Sequence, residues 1–179
     1  MSDRVRQEVA ARLSLRPPQK ESLERLGRAL EAAPAMLKRE GRDVADILSS
    51  LKAEFSTLDD FEREFPSLCF ALATGVGKTR LMGAFIAYLH RKHRINNFFV
   101  LAPNLTIYDK LITDFTPNTP KYVFKGIAEF AQNSPLIITG DNYDQSGAAV
   151  DGSLFKEGQD VRINIFNISK INSEVRGGK

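Results

Sequence analysis

The stretch Ser67-Leu-Cys-Phe-Ala-Leu-Ala-Thr-Gly-Val-Gly-Lys-Thr79 constrains this chain more than any other. Residues 67–73 are a short, nearly continuous apolar run without polar alternation, which predicts a strand buried on both faces of a parallel sheet. A turn with two glycines follows. Over 78–90 the chain is then apolar almost all round (Leu81, Met82, Ala84, Phe85, Ile86, Tyr88, Leu89), the pattern of a largely buried helix. A strand, a glycine turn and a helix opening at Lys-Thr form the setting in which backbone N–H groups cradle phosphate. Gly75 and Gly77 let the backbone turn its amides inward, and the helix N-terminus adds partial positive charge. Lys78 is expected to reach the β- and γ-phosphates of ATP as the catalytic cation, with the Thr79 hydroxyl as a Mg²⁺ ligand. Thr74, Val76 and Arg80 complete the expected cofactor-binding set. Leu72 stands where the pattern G-x-x-x-x-G-K-[ST] has its first glycine, so the loop is a variant.

The rest of the chain alternates in the same way. Val5, Val9 and Leu13 mark a short amphipathic helix over 3–14, broken by Pro17-Pro18. Proline at a first helical position then favours a second helix, with Leu23, Leu26 and Leu30 on one face. A helical pattern recurs over 34–65 through Val44, Ile47, Leu48 and Leu51. Ser56 and Thr57, three residues before Asp59 and Asp60, predict a cap opening a last short helix that Pro66 ends. Arg91-Lys-His-Arg94 closes the helix after the loop, where cations suit its C-terminus. Phe98–Leu101 reads as a second buried strand and Leu105–Phe115 as a second helix. Weaker strands are expected at Lys121–Phe124, Leu136–Thr139 and Arg162–Asn167, with a Gly/Asp/Ser-rich loop over 140–160. Strands alternating with helices imply an α/β domain with a mostly parallel sheet. A helical N-terminal region over 1–65 is expected to precede it, with the sheet domain over 66–179.

Charge matters here through its distribution, since the formal net charge is only +3. Between Lys78 and Lys125 eight Lys/Arg face two Asp, whereas between Lys38 and Glu64 five basic residues face eight acidic ones. A basic region beside a phosphate loop suits a polyanion. Cys69 is the only cysteine, so an intrachain disulfide is excluded, and its apolar neighbours predict a buried thiol in a reducing cytoplasm. The N-terminus lacks the layout of a signal peptide, and no apolar run is long enough to span a bilayer.

The string Ala73-Thr-Gly-Val-Gly-Lys-Thr79 resembles motif I of superfamily 2 helicases and translocases, written A-T-G-x-G-K-T. Leu15-Arg-Pro-Pro-Gln-Lys20 is similar to the L-R-P-Y-Q opening of such enzymes, with Pro18 in place of the aromatic. The resemblance implies that Gln19 reads the adenine edge, a task that suits an amide able both to donate and to accept. Leu101-Ala-Pro-Asn-Leu-Thr-Ile107 lies where the family carries motif Ia, which contacts the nucleic-acid backbone. By position, Asn104, Thr106 and Lys110 would make such contacts, although Asn104 suits a helix cap equally well.

Together, "FALATGVGKT" and "APNLTIYDKL" resemble the ATPase subunit of type III restriction enzymes and related DEAD/DEAH-box proteins most. The resemblance implies a RecA-like phosphate-loop domain, ATP and Mg²⁺ as cofactors, and DNA, a second RecA-like domain and a modification subunit as partners. The helical stretch between Gln19 and Ser67 departs from the family pattern by its length. So does the lack of the acidic pair that holds Mg²⁺ and orients the attacking water. Leu136–Asp141 imitates that box, but Gly140 and Asn142 frame it as a turn, and Asp59-Asp60 precedes the loop. The chain is therefore expected to be the ATP-gripping N-terminal part of a longer motor, weak in hydrolysis alone. Its alternatives are a small phosphate-loop kinase and a non-catalytic nucleotide-binding interaction module.

Overall fold

The computed structural model describes residues 3–38, 40–41, 43–142 and 161–168. Helix α1 (Arg4–Arg12) opens at Asp3, whose carboxylate accepts from the Val5 amide at 2.9 Å, a side-chain cap for an orphan helix donor. Helix α2 (Pro17–Ala32) begins at the expected proline, and Leu23, Leu26 and Leu30 are buried along one face. A 3₁₀ turn (Pro34–Leu37) leads to α3 (Val44–Glu54), capped by the Asp43 side chain on the amides of Ala45 and Asp46. Ala29 and Ala33 of the α2 end meet Ile47, Leu51 and Phe61 in a small satellite core.

The helix expected after Ser56 does not form. Asp60 instead accepts from the Glu62 amide at 2.7 Å, and the Ser67 hydroxyl donates to the Phe61 carbonyl. A short aspartate side chain competes for the backbone amides that a helix would need.

Helix α4 (Lys78–His93) is the centre of the molecule. Leu81, Ala84, Ile86, Ala87 and Tyr88 are buried on it, and α1 and α2 both pack against it. The main core runs from Val9 and Leu23 through Ala84, Ile86, Ala87 and Tyr88 to Val100, Ile163 and Ile165 of the sheet. Arg94 ends α4 in a left-handed conformation.

Among the described residues three parallel strands form the sheet: β1 (Asn97–Ala102), β2 (Leu136–Thr139) and β3 (Arg162–Asn167), in the order β1-β3-β2. The register pairs Val100 with Ile165 and Ile137 with Ile163. Between β1 and β2 lie α5 (Leu105–Phe115), which packs on β1 and β3, and the short α6 (Ala128–Gln132). The chain is thus α/β with an all-parallel sheet, as the alternating pattern predicts.

Three strand expectations are corrected. Residues 67–73 form no regular secondary structure and have no ladder partner among the described residues, and Cys69 is exposed instead of buried. Apolar character states that side chains favour burial, but pairing depends on a neighbouring strand that local sequence cannot supply. Strand β1 is buried on one face only: Val100 and Ala102 face the core, while Phe99 and Leu101 are 61% and 47% exposed. Lys121–Phe124 is a chain of turns, with Val123 and Phe124 buried as core plugs. The Val123 amide there donates to the Asp114 carbonyl at 2.8 Å, which ties the segment to α5 and leaves no ladder to join. Most of the loop expected over 140–160 lies outside the described residues. Its start is a turn held by Asn142, which accepts from the Thr139 amide and donates to the Ile137 carbonyl.

Candidate functional site

The loop from Thr74 to Gly77 has the backbone that a phosphate cradle requires. Gly75 has φ +77° and Gly77 φ +93°, left-handed values that cost a side-chain-bearing residue about 1–2 kcal/mol. Nothing stands within 4 Å of a Cβ placed on Gly75, so the mouth of the loop is open. Gly77 caps α4, and its carbonyl accepts from the Leu81 amide, which directs the first turn of α4 at the loop. The exposed Lys78 ammonium donates to the Ala73 carbonyl at 3.1 Å, folded back over the loop that it would serve.

Gln19 is built into this loop from behind. It is only 1% exposed, its amide nitrogen donates to the Gly77 carbonyl at 2.8 Å, and its oxygen accepts from the Arg16 amide at 2.8 Å. Contact with adenine would therefore require this amide to turn away from at least one of those partners. Arg16, which sequence reasoning passed over, reaches the Gly75 carbonyl at 3.4 Å. Its signal was its place beside Gln19 in the Leu15-Arg-Pro-Pro-Gln stretch. Arg80 points away from the loop mouth, donating to the Leu13 carbonyl at 3.0 Å. The turn between α1 and α2 is thereby fastened to both ends of the loop.

On the α5 side, Asn104 caps its helix, accepting from the Ile107 amide at 3.0 Å. Asn104 and Thr106 are exposed. Lys110 lies one helical turn and a half beyond, but its ammonium points at the loop: it is 3.5 Å from the Thr79 hydroxyl and is paired with Asp114. Asp114 is a buried carboxylate that the sequence reading did not single out, although its i,i+4 spacing from Lys110 was visible. A cleft of about 620 Å³ opens beside Thr79, and Arg12, Arg80, Lys110, Lys121 and Lys125 line it with Asp114 as the acidic member. The basic bias of 78–125 is thus gathered partly into one concave surface next to the loop. Among the described residues there is no cluster of three or more His, Cys, Asp or Glu able to hold a metal, and no helix is long and apolar enough to cross a membrane.

An all-parallel α/β sheet with a left-handed Gly-x-Gly loop opening a buried helix defines a phosphate-loop domain. The chain matches the family described as "Type III restriction enzyme, res subunit" over residues 12–178. It belongs to that family, whose domain is the RecA-like, helicase-like ATPase domain of superfamily 2. Curated proteins and solved structures give no match to the chain.

Proposed function

We propose that this chain grips ATP and Mg²⁺ as part of an ATP-dependent DNA helicase or translocase of the type III restriction kind. The observation that carries the reading is the open loop at Gly75–Gly77, aimed by the N-terminus of α4, in a chain of this family. The residues fit the nucleotide. Backbone amides of Thr74–Thr79 would hold the phosphates, Lys78, now on the Ala73 carbonyl, would supply the cation for the β- and γ-oxygens, and Thr79 would offer a hydroxyl oxygen to the metal. The bound metal supplies charge neutralisation at the transferring phosphoryl group. Gln19 acts first as the strut that fixes the loop, and serves adenine if its amide turns outward.

Asn104, Thr106 and the basic cleft offer contacts to a nucleic-acid backbone, which position a strand without reading it. Firing of the reaction falls to acidic groups and to a second RecA-like domain, with a modification subunit as a further partner, in the cytoplasm. The N-terminal region over 1–65, through α1 and α2 packed on α4, braces the motor domain over 66–179.

Binding of a fluorescent ATP analogue with Mg²⁺ tests the reading directly. Lys78→Ala is expected to weaken that affinity about tenfold or more, the loss of a charge-assisted phosphate contact. Equal affinity in the mutant would remove Lys78 from its role. Turnover measured by phosphate release with DNA present is expected to stay near background for this chain alone.

A further inference from the structure

Lys110 is the residue whose observed surroundings differ most from what its position in the sequence suggests. Its ammonium sits between two oxygens: the Thr79 hydroxyl at 3.5 Å and the buried carboxylate of Asp114. An ammonium has three donors and no acceptor, so its long contact to Thr79 is directed at one of the two lone pairs of that hydroxyl. A Mg²⁺ ion held by Thr79 would draw on the same oxygen. A divalent ion placed on Thr79 would lie within a few ångströms of the Lys110 charge, and like charges at that separation repel.

Asp114 keeps Lys110 in place. A buried carboxylate needs a counter-charge, and the i,i+4 spacing on α5 delivers one. The backbone around this pair is fixed as well, because the Asp114 carbonyl accepts from the Val123 amide of the segment that plugs the core. The Lys110 side chain is nevertheless half exposed. Its ammonium can turn off Thr79 toward the neighbouring cleft while keeping its pair with Asp114.

We propose that Lys110 is an internal cation that occupies the metal side of Thr79 in the nucleotide-free chain and leaves it when Mg²⁺ and nucleotide load. Lys110 is a positioning residue here, acting through Thr79. The inference rests on the reading of Thr74–Arg80 as a Mg²⁺·ATP loop and adds to it a built-in competitor for the metal. It also links the loop to α5: displacement from Thr79 frees one more donor of the ammonium toward the cleft.

The test is a Mg²⁺ titration of fluorescent ATP-analogue binding to the 179-residue chain, comparing wild type with Lys110→Met and Lys110→Arg. Removal of a half-exposed charge near the metal is expected to lower the half-saturating Mg²⁺ concentration of Lys110→Met about two- to fivefold. Lys110→Arg keeps the charge and is expected to restore the wild-type midpoint, which a purely structural role for the side chain would not produce. Thermal unfolding midpoints of the three proteins verify that each is folded. A Lys110→Met midpoint equal to or above that of the wild type, with nucleotide still bound, overturns the competitor and leaves the loop reading standing. Failure of the wild type to bind Mg²⁺·nucleotide at all overturns the loop reading and the competitor with it.

Discussion

The two arms that meet at the phosphate loop are built in opposite ways. The arm leaving it, α4, buries Leu81, Ala84, Ile86, Ala87 and Tyr88 against α1, α2 and the sheet. The arm entering it, residues 67–73, has no regular secondary structure and no ladder partner among the described residues, and it exposes Cys69. Its tie to α4 includes the packing of Phe70 on Phe85, with ring centroids 4.8 Å apart. The entering arm is the more apolar of the two in sequence, with six apolar residues of seven against eight of sixteen in α4. What separates them is how each satisfies its backbone: a helix does so internally, whereas a segment outside a helix needs a partner. On its helix side the loop is joined by hydrogen bonds from Gln19 and, one turn into α4, Arg80, whereas its entering side is tied through the packing of Leu68 and Phe70 on the core.

The contrast can be attacked where the stakes are highest. Ile86→Ala on α4 removes a side chain only 4% exposed, and a cavity of that kind costs about 2–5 kcal/mol. A urea unfolding midpoint unchanged by this substitution would mean that α4 is not the pillar described. Gly77→Ala strikes the junction itself. Its φ of +93° is unfavourable to alanine, and the new Cβ would stand 2.7 Å from the Gln19 amide nitrogen. The expected loss is about 1–2 kcal/mol of stability, with weaker nucleotide binding as the strut is displaced; full retention of both in equilibrium unfolding and ligand titration would refute the brace.

The helix arm also carries a pH signature. Burial, together with the Asp3 carboxylate that accepts from its hydroxyl, pushes the Tyr88 phenol up from 10.0 to about 12. A phenol harder to ionise in the folded state stabilises the fold fully below pH 10 and loses that contribution as pH rises toward 12. Thermal midpoints are expected to fall across this window, and Tyr88→Phe should flatten that fall. An identical profile in Tyr88→Phe would assign the alkaline loss elsewhere. The smallest effect belongs to the entering arm. Cys69→Ser is expected to change stability by less than about 0.5 kcal/mol, as for an exposed position. The native thiol should react with a thiol reagent as fast as in the unfolded chain. Protection of Cys69 in the native protein would restore a covered strand and erase the difference between the arms.

Much of the candidate site was legible from residues alone. Gly75 and Gly77 had to adopt left-handed conformations for Lys78 and Thr79 to open a helix, and they do. Pro17 started α2 where proline's fixed φ is tolerated, and Asn104 capped α5 as its side chain permits. The misread segments share a cause. Ser67–Ala73 and Lys121–Phe124 carry apolar side chains in short runs, and such runs state only a preference for burial. One lacks a described strand to pair with, and the other is drawn into turns by the Asp114 carbonyl.

By itself the sequence determined the local chemistry: which backbone can bend around phosphate, which helices begin where, and which lysine and threonine stand at the start of α4. These follow from single-residue sterics and hydrogen-bonding capacity, which act over a few bonds. Only the tertiary structure decided that Gln19 is a buried strut under Gly77, that Arg80 turns to Leu13, and that Lys110 stands over Thr79. These contacts join residues 31 to 67 positions apart in the chain. They exist because burial of apolar faces against α4 fixes where each polar end must fall.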